Sequence, residues 1–177
     1  YGASGTARGR TWVLDPIDGT RQFGAGLLNF ASLVALCHDG VPVLGVIDLP
    51  LAGMRHVAAI GHGSRFNGAA VRTSGRTTLS QATVALANPA SFGAARRPGY
   101  DTLRRAGRSI VHDGGSPAYG ALARGRIDLC LNGDDLDAFD ICALVPVVTE
   151  AGGCITDWAG GPLGLASSGA ILASASA

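Results

Sequence analysis

Residues 12–20 read Trp12-Val-Leu-Asp15-Pro16-Ile17-Asp18-Gly19-Thr20, and their order decides how the rest of the chain is read. The apolar run Arg10–Asp15 predicts a short strand that Pro16 ends, since proline offers no N–H and pushes the residue before it toward extended backbone. A tight turn at the proline would bring Asp18 back alongside Asp15, and Gly19-Thr20 would open the next segment with free backbone N–H groups. Hard cations such as Mg²⁺ take carboxylate, carbonyl and hydroxyl oxygens, and this loop offers Asp15, the Ile17 carbonyl, Asp18 and the Thr20 hydroxyl. A phosphate would sit on the N–H groups at Gly19 and Thr20. Asp-Pro and Asp-Gly are also ordinary turn dipeptides and Thr an ordinary helix cap, so a second segment has to decide between the two readings.

That segment is Phe139-Asp140-Ile-Cys-Ala-Leu-Val-Pro-Val-Val-Thr-Glu150-Ala-Gly-Gly153. It predicts a helix over 139–151 ending at the glycine pair, with Asp140 at its start, where a carboxylate can cap the helix or bind a metal just outside it. Between the two segments the pattern changes once. Residues 31–37 and 41–47 predict a hairpin through His38-Asp39-Gly40, and residues 54–60 and 64–71 a second one, with Asn67-Gly68 as a further turn signal. From residue 83 onward strands alternate with helices: strands over 83–87, 109–112, 127–131, 154–157 and 170–173, and helices over 100–106 and 117–124. We therefore expect an antiparallel, strand-rich half over 1–80 that carries the aspartate loop. An α/β half over 81–177 would carry Asp140.

Composition narrows the function classes. At 177 residues, 47% hydrophobic and 15% charged, the chain is large and apolar enough to bury a core. No apolar run approaches the roughly 20 residues of a membrane-spanning helix. With 14 basic against 13 acidic residues, a formal net charge of +1 gives no global field to attract nucleic acid or anionic lipid. Every basic residue is Arg, which removes lysine Schiff-base chemistry and a Walker A lysine. Cys37, Cys130, Cys142 and Cys154 sit in apolar stretches without a C-x-x-C pair and are expected to be reduced and buried. His38, His56, His62 and His112 are dispersed, with no spacing suited to a metal site.

Taken together, the two aspartate segments resemble the inositol monophosphatase family of Mg²⁺-dependent phosphatases. The first fits the pattern W-V-x-D-P-[IL]-D-G-T, and the second fits W-D-x-x-A…E-A-G-G with Phe139 in place of the usual Trp. Between them, Gly114-Gly115-Ser116-Pro-Ala-Tyr119-Gly-Ala-Leu-Ala123 and Ala123-Arg-Gly125-Arg-Ile-Asp128 resemble the family's substrate-binding helix and the strand entry after it. The resemblance implies an α/β fold, a layered αβαβα sandwich with an α+β N-terminal part. It implies two or three Mg²⁺ ions on Asp15, the Ile17 carbonyl, Asp18 and Asp140. Asp18 and Thr20 would be catalytic, Gly19 and Thr20 would bind phosphate, and Arg21, Gly115, Ser116 and Asn132 would contact substrate. Asp18-Gly-Thr-Arg21-Gln-Phe23, residues 42–50, Tyr119-Gly and Ile155-Thr-Asp157-Trp158 are similar to the histidinol-phosphatase branch. The implied reaction is hydrolysis of histidinol phosphate by a metal-activated water. Alternatives are an inositol 1-phosphate or 3′(2′),5′-bisphosphate nucleotide phosphatase, or a truncated, non-catalytic paralogue. The resemblance further implies a cytoplasmic homodimer acting on a small phosphorylated metabolite. The chain begins at Tyr1, just after the place where the family carries a water-activating Gly-Glu-Glu segment and sheet-covering helices. We therefore expect it to be incomplete at the N-terminus, with apolar sheet surface exposed. Asn132 stands where relatives often have Glu.

Overall fold

The computed structural model describes residues 8–176. Its first half is a six-stranded antiparallel sheet of β1 (Arg10–Asp18), β2 (Ala31–His38), β3 (Val41–Leu49), β4 (Met54–Ala59), β5 (Ser64–Phe66) and β6 (Ala69–Val71), paired in sequence order. A short helix, α1 (Thr20–Gly24), leaves the end of β1. β2 shows why the order is stable: Ala31, Leu33, Ala35 and Cys37 are buried and alternate with partly exposed residues, the period of a half-buried strand. The second predicted hairpin is divided further than expected. Asn67 and Gly68, at φ 46° and 86°, turn the chain between β5 and β6.

β1 also departs from expectation, since Pro16 does not end it. The strand continues to Asp18, with Asp15 opposite Leu33 and Asp18 opposite Ala31, so three steps on β1 match two on β2. β1 lies at the sheet edge, where a missing N–H costs no ladder bond, and the bulge takes up the extra residue. On its outward face Trp12 and Leu14 are each 59% exposed.

The second half alternates as predicted. β7 (Thr83–Leu86), α2 (Arg97–Ala106), β8 (Ser109–His112), α3 (Gly115–Ala123) and β9 (Leu129–Asn132) form parallel β7–β8 and β7–β9 pairs. After α4 (Ala138–Ile141) and α5 (Leu144–Thr149), strands β10 (Cys154–Asp157) and β11 (Ile171–Ser174) complete a sheet ordered β10-β11-β9-β7-β8. The expected single helix over 139–151 is interrupted at Cys142–Ala143. Pro146 has no N–H to give the Cys142 carbonyl, so the hydrogen-bond ladder breaks there although the backbone dihedrals stay helical. α2 starts at Arg97 rather than Tyr100, α3 at Gly115 rather than Pro117, and β9 ends one residue later than predicted, on Asn132.

Helices α3, α4 and α5 lie between the sheets, and α2 covers the far face of the second. Among the described residues the layers run sheet, helix, sheet, helix. One buried cluster joins Leu33 and Ile47 of the first sheet, Tyr119, Leu122, Ile141 and Val147 of the middle helices, and Cys130, Ile155 and Ile171 of the second sheet. A smaller cluster, Val84, Leu86, Phe92, Tyr100 and Leu131, seats α2. Cys37, Cys130 and Cys142 are free and buried, and Cys154 is free and half-buried. No described helix is long and apolar enough to cross a membrane.

The α4–α5 break rests directly on β3. A Cβ placed on Gly45 would lie 2.1 Å from the Ala143 carbonyl oxygen, so this strand position has room only for hydrogen. Gly45→Ala is expected to cost about 3 kcal/mol of unfolding free energy, because backbone on both sides must move, and urea denaturation against wild type measures it. An unchanged midpoint would mean that the helix break does not bear on the strand.

Candidate active site

Three carboxylates converge where the two halves meet. One oxygen each of Asp15, Asp18 and Asp140 lies within 4.8 Å of the others, and all three residues are half-buried. Each is held by a different device. The Asp15 Oδ1 accepts from the Ile17 N–H at 3.0 Å across the β1 bulge. The Asp18 Oδ2 accepts from the Ser116 hydroxyl at 2.5 Å and from the Ser116 N–H at 3.2 Å, at the start of α3. The Asp140 Oδ2 accepts from the Asp137 N–H at 2.8 Å, one arm of a capping box that starts α4.

Burial together with the neighbouring carboxylates Asp18, Asp15 and Asp137 pushes the Asp140 carboxyl up to about 7. Asp15 is also raised, mainly by burial and then by Asp18. The cluster is thus a set of hard oxygens in want of positive charge, which fits a cation such as Mg²⁺. The Ile17 carbonyl accepts from the Thr20 hydroxyl at 3.0 Å and keeps a second lone pair. Gly19 adopts φ 83° where β1 turns into α1, a conformation that favours glycine.

A cavity of about 240 Å³ opens over the cluster. Asp18, Gly19, Thr20, Arg21, Gly115, Asn132 and Asp140 line it, so the structure brings most of the sequence-predicted residues together. Asp15 lies at the cluster without lining the cavity, and Ser116 is buried behind Asp18. Asn132 faces the cavity with its Oδ1 already accepting from the Tyr119 hydroxyl at 3.0 Å. A larger space of about 630 Å³ opens on the first sheet between Asp48, Arg55 and Arg65. There Arg55 is paired with Asp48, and the aspartate cluster is elsewhere, so the smaller cavity is the candidate site.

The cavity has a topological cause. β8 and β9 flank β7, while α2 and α3 run back on opposite faces of the sheet, so a crevice opens beyond the carboxyl ends of these strands. Ala87 and Asn88 follow β7, Asp113 follows β8, and Asn132 ends β9, and all four line the cavity. Sequence reading missed Asn88, Ser91 and Asp135. The pair Asp134-Asp135 after Gly133 reads as a turn in the sequence. In the fold Asp134 holds Arg96 and the Gly93 N–H, leaving Asp135 at the cavity. The signal that could have found them is position, since each lies within a few residues of a parallel strand's end. None of the four histidines belongs to the metal-type cluster.

Comparison with known proteins agrees with these features. Residues 2–177 match the sequence profile of the inositol monophosphatase family. The chain is 34% identical over 176 residues to the histidinol-phosphatase of Mycobacterium tuberculosis, covering 93% of this chain and 66% of that protein. It is 38% identical over 149 residues to the chloroplastic bifunctional phosphatase IMPL2 of Arabidopsis thaliana, covering 84% of this chain and 43% of that one. A solved inositol monophosphatase from Zymomonas mobilis superposes with a TM-score of 0.90 at 38% identity, over 94% of this chain and 66% of that one. The chain therefore spans about half to two-thirds of these relatives' lengths.

The raised Asp140 has a stability consequence. Between its unfolded value of 3.8 and about 7, the folded state keeps a proton that the unfolded state has released, so this group's contribution falls as pH rises. Above 7 the penalty is complete, and a bound cation relieves it. Mg²⁺ is therefore expected to raise the melting temperature more at pH 8 than at pH 5. Asp140→Asn, which keeps an acceptor for Asp137, should stabilise the metal-free protein at pH 8 and lose most of the Mg²⁺ gain. Thermal melts with and without Mg²⁺ check this, and an equal gain at both pH values would count against the cluster as the binding site.

Proposed function

This chain belongs to the inositol monophosphatase family, and we propose that it carries the Mg²⁺-dependent hydrolysis of histidinol phosphate to histidinol and phosphate, a step of histidine biosynthesis. The observation that supports a metal-dependent phosphatase most directly is the meeting of Asp15, Asp18 and Asp140 in one cluster, of which Asp18 and Asp140 line the cavity. Asp15, the Ile17 carbonyl, Asp18 and Asp140 would hold two or three cations. When bound, such cations neutralise phosphate charge, lower the pKa of water and stabilise the leaving alkoxide.

The chain's own residues supply the rest. Ser116 fixes Asp18 through two donors, so the carboxylate keeps its place as charge builds and disperses beside it. Thr20, tied to the Ile17 carbonyl, stands at the cavity wall, where its hydroxyl oxygen can accept from the attacking water and orient it. The N–H groups of the first turn after Gly19 have no acceptor within α1 and are available to a phosphate.

Two features favour histidinol phosphate among possible esters. Asp113 and Asp135 line the cavity without belonging to the carboxylate cluster and suit a leaving group that carries an ammonium. Relatives named histidinol-phosphatase from M. tuberculosis and Streptomyces coelicolor are each 34% identical to this chain. An inositol phosphate is the second reading, supported by the likeness to the Z. mobilis enzyme. We place the protein in the cytoplasm as a homodimer by the same family resemblance.

Mg²⁺-dependent phosphate release from histidinol phosphate, inositol 1-phosphate and adenosine 3′,5′-bisphosphate tests the proposal. It should be measured on this chain and on the chain extended upstream in its own reading frame. Preference for histidinol phosphate is the expected result, with Asp18→Asn and Asp140→Asn each lowering kcat at least about 100-fold. Retained activity in both variants would overturn the metal assignment. Silence from both proteins on every ester would favour a non-catalytic member of the family.

A further inference from the structure

Behind Asn132, one of the residues lining the cavity, lies a buried tyrosine that the phosphatase chemistry does not use. Tyr119 sits midway along α3, is 1% exposed, and is joined to the cavity through Asn132, to whose Oδ1 its hydroxyl donates at 3.0 Å. Burial holds the phenol well above its ordinary range, with Asp18 adding to the effect, so the group stays a neutral O–H at any working pH.

A sealed phenol must place its proton on an acceptor. Were the Asn132 amide turned over, its NH₂ would face the phenol, the phenol oxygen could only accept, and the O–H proton would be orphaned in the core. Leaving a buried donor unpaired costs on the order of 1–3 kcal/mol, enough to hold one amide orientation. The other arm of the amide, the Nδ2 with its two hydrogens, has no acceptor among the described residues, and Asn132 lines the cavity with Asp18, Thr20 and Asp140. A carboxylate at this position could only accept, whereas the amide as held here donates.

We propose that Tyr119 is a positioning residue that locks Asn132 with its amide hydrogens toward the leaving group, so that the site favours phosphomonoesters whose alcohol carries a hydrogen-bond acceptor, such as a neutral ring nitrogen or a hydroxyl oxygen. This deepens the phosphatase reading above and rests on it for its consequence in turnover, while the orientation itself is open to direct measurement.

The kinetic test compares histidinol phosphate and inositol 1-phosphate with phenyl phosphate, whose leaving group offers no acceptor beyond the ester oxygen, all at saturating Mg²⁺. Tyr119→Phe frees the amide to turn and should lower the ratio of kcat/KM for the acceptor-bearing esters over phenyl phosphate about tenfold, through KM with kcat little changed. Asn132→Asp keeps the shape and an acceptor for Tyr119 but has no donor, and should lower the ratio at least as far. A ratio unchanged in either variant overturns the proposal, because a purely structural role for Tyr119 would depress all three esters alike. The second readout needs no turnover. In protein labelled with ¹⁵N at asparagine, the Asn132 side-chain NH₂ should show a weak nuclear Overhauser effect, or none, to the Tyr119 ring protons and should shift when L-histidinol is added. A strong effect to the ring would show the amide turned over and overturn the proposal, even in a protein that hydrolyses nothing. Absence of hydrolysis alongside the expected orientation would overturn the phosphatase reading and leave the locked amide standing.

Discussion

Mutual repulsion among Asp15, Asp18 and Asp140 is the constraint around which the molecule is arranged. Three carboxylate oxygens within 4.8 Å of one another would separate if the chain were free to move. They are held by three anchors that are far apart in sequence: a bulge on an edge strand, the first residues of α3, and a capping box ahead of α4. None of these anchors is strong alone, and each depends on its element being fixed by packing. α4 and α5 are fixed by the direct seating of their break on Gly45, and α3 by the burial of Tyr119, Leu122 and Ala123 between the sheets. The core therefore does more than stabilise the fold. It supplies the stiffness that keeps like charges together until a cation arrives.

The second half of the chain answers a different requirement. A phosphatase site needs polar groups that converge on a cleft without breaking the sheet beside it. The ends of parallel strands provide them, because residues there leave the hydrogen-bond ladder and can turn toward solvent. Asn88, Asp113 and Asn132 all sit at such ends, contributed by β7, β8 and β9. The aspartate cluster and much of the remaining cavity lining are thus built by different parts of the topology, the first by β1 and α4 and the second by the strand ends of the other sheet.

This division explains what could be read in the sequence. Asp15, Asp18 and Thr20 were legible because one short run packs their oxygens together, and Asp140 because its segment completed the family resemblance, which the spacing of neither run supplies alone. The two hairpins were legible from alternation, and the α/β half from the change of period after residue 80. Pro16 misled because the effect of a missing N–H depends on whether the strand is at an edge, and strand order is a property of the whole sheet. The break at Cys142–Ala143 was overlooked because Val, Leu and Ala on both sides keep a helical pattern while Pro146 removes one bond. Asp135 and Ser91 were invisible because they share no local pattern, and they meet only when β7 and β9 become neighbours. Tyr119 entered the sequence reading only through the family and branch resemblances, and the fold makes it a core aromatic whose one oxygen donates to Asn132.

The charge at the cavity sets the order of events. Its lining carries the carboxylates of Asp18, Asp113, Asp135 and Asp140 against the single guanidinium of Arg21. A phosphate monoester approaching that surface brings further negative charge into the same small volume, and the net charge of +1 is spread too thinly over the molecule to compensate. Such a lining cannot bind its substrate well by itself. On the proposed function, cations on the oxygens of Asp15, Asp18 and Asp140 would offset that charge for the phosphate and leave Asp113 and Asp135 as the lining carboxylates outside the cluster. Those two carboxylates would favour an ester whose alcohol is cationic. The Asn132 amide, brought to the cavity by the end of β9, would add the donor and acceptor direction that charge alone does not supply.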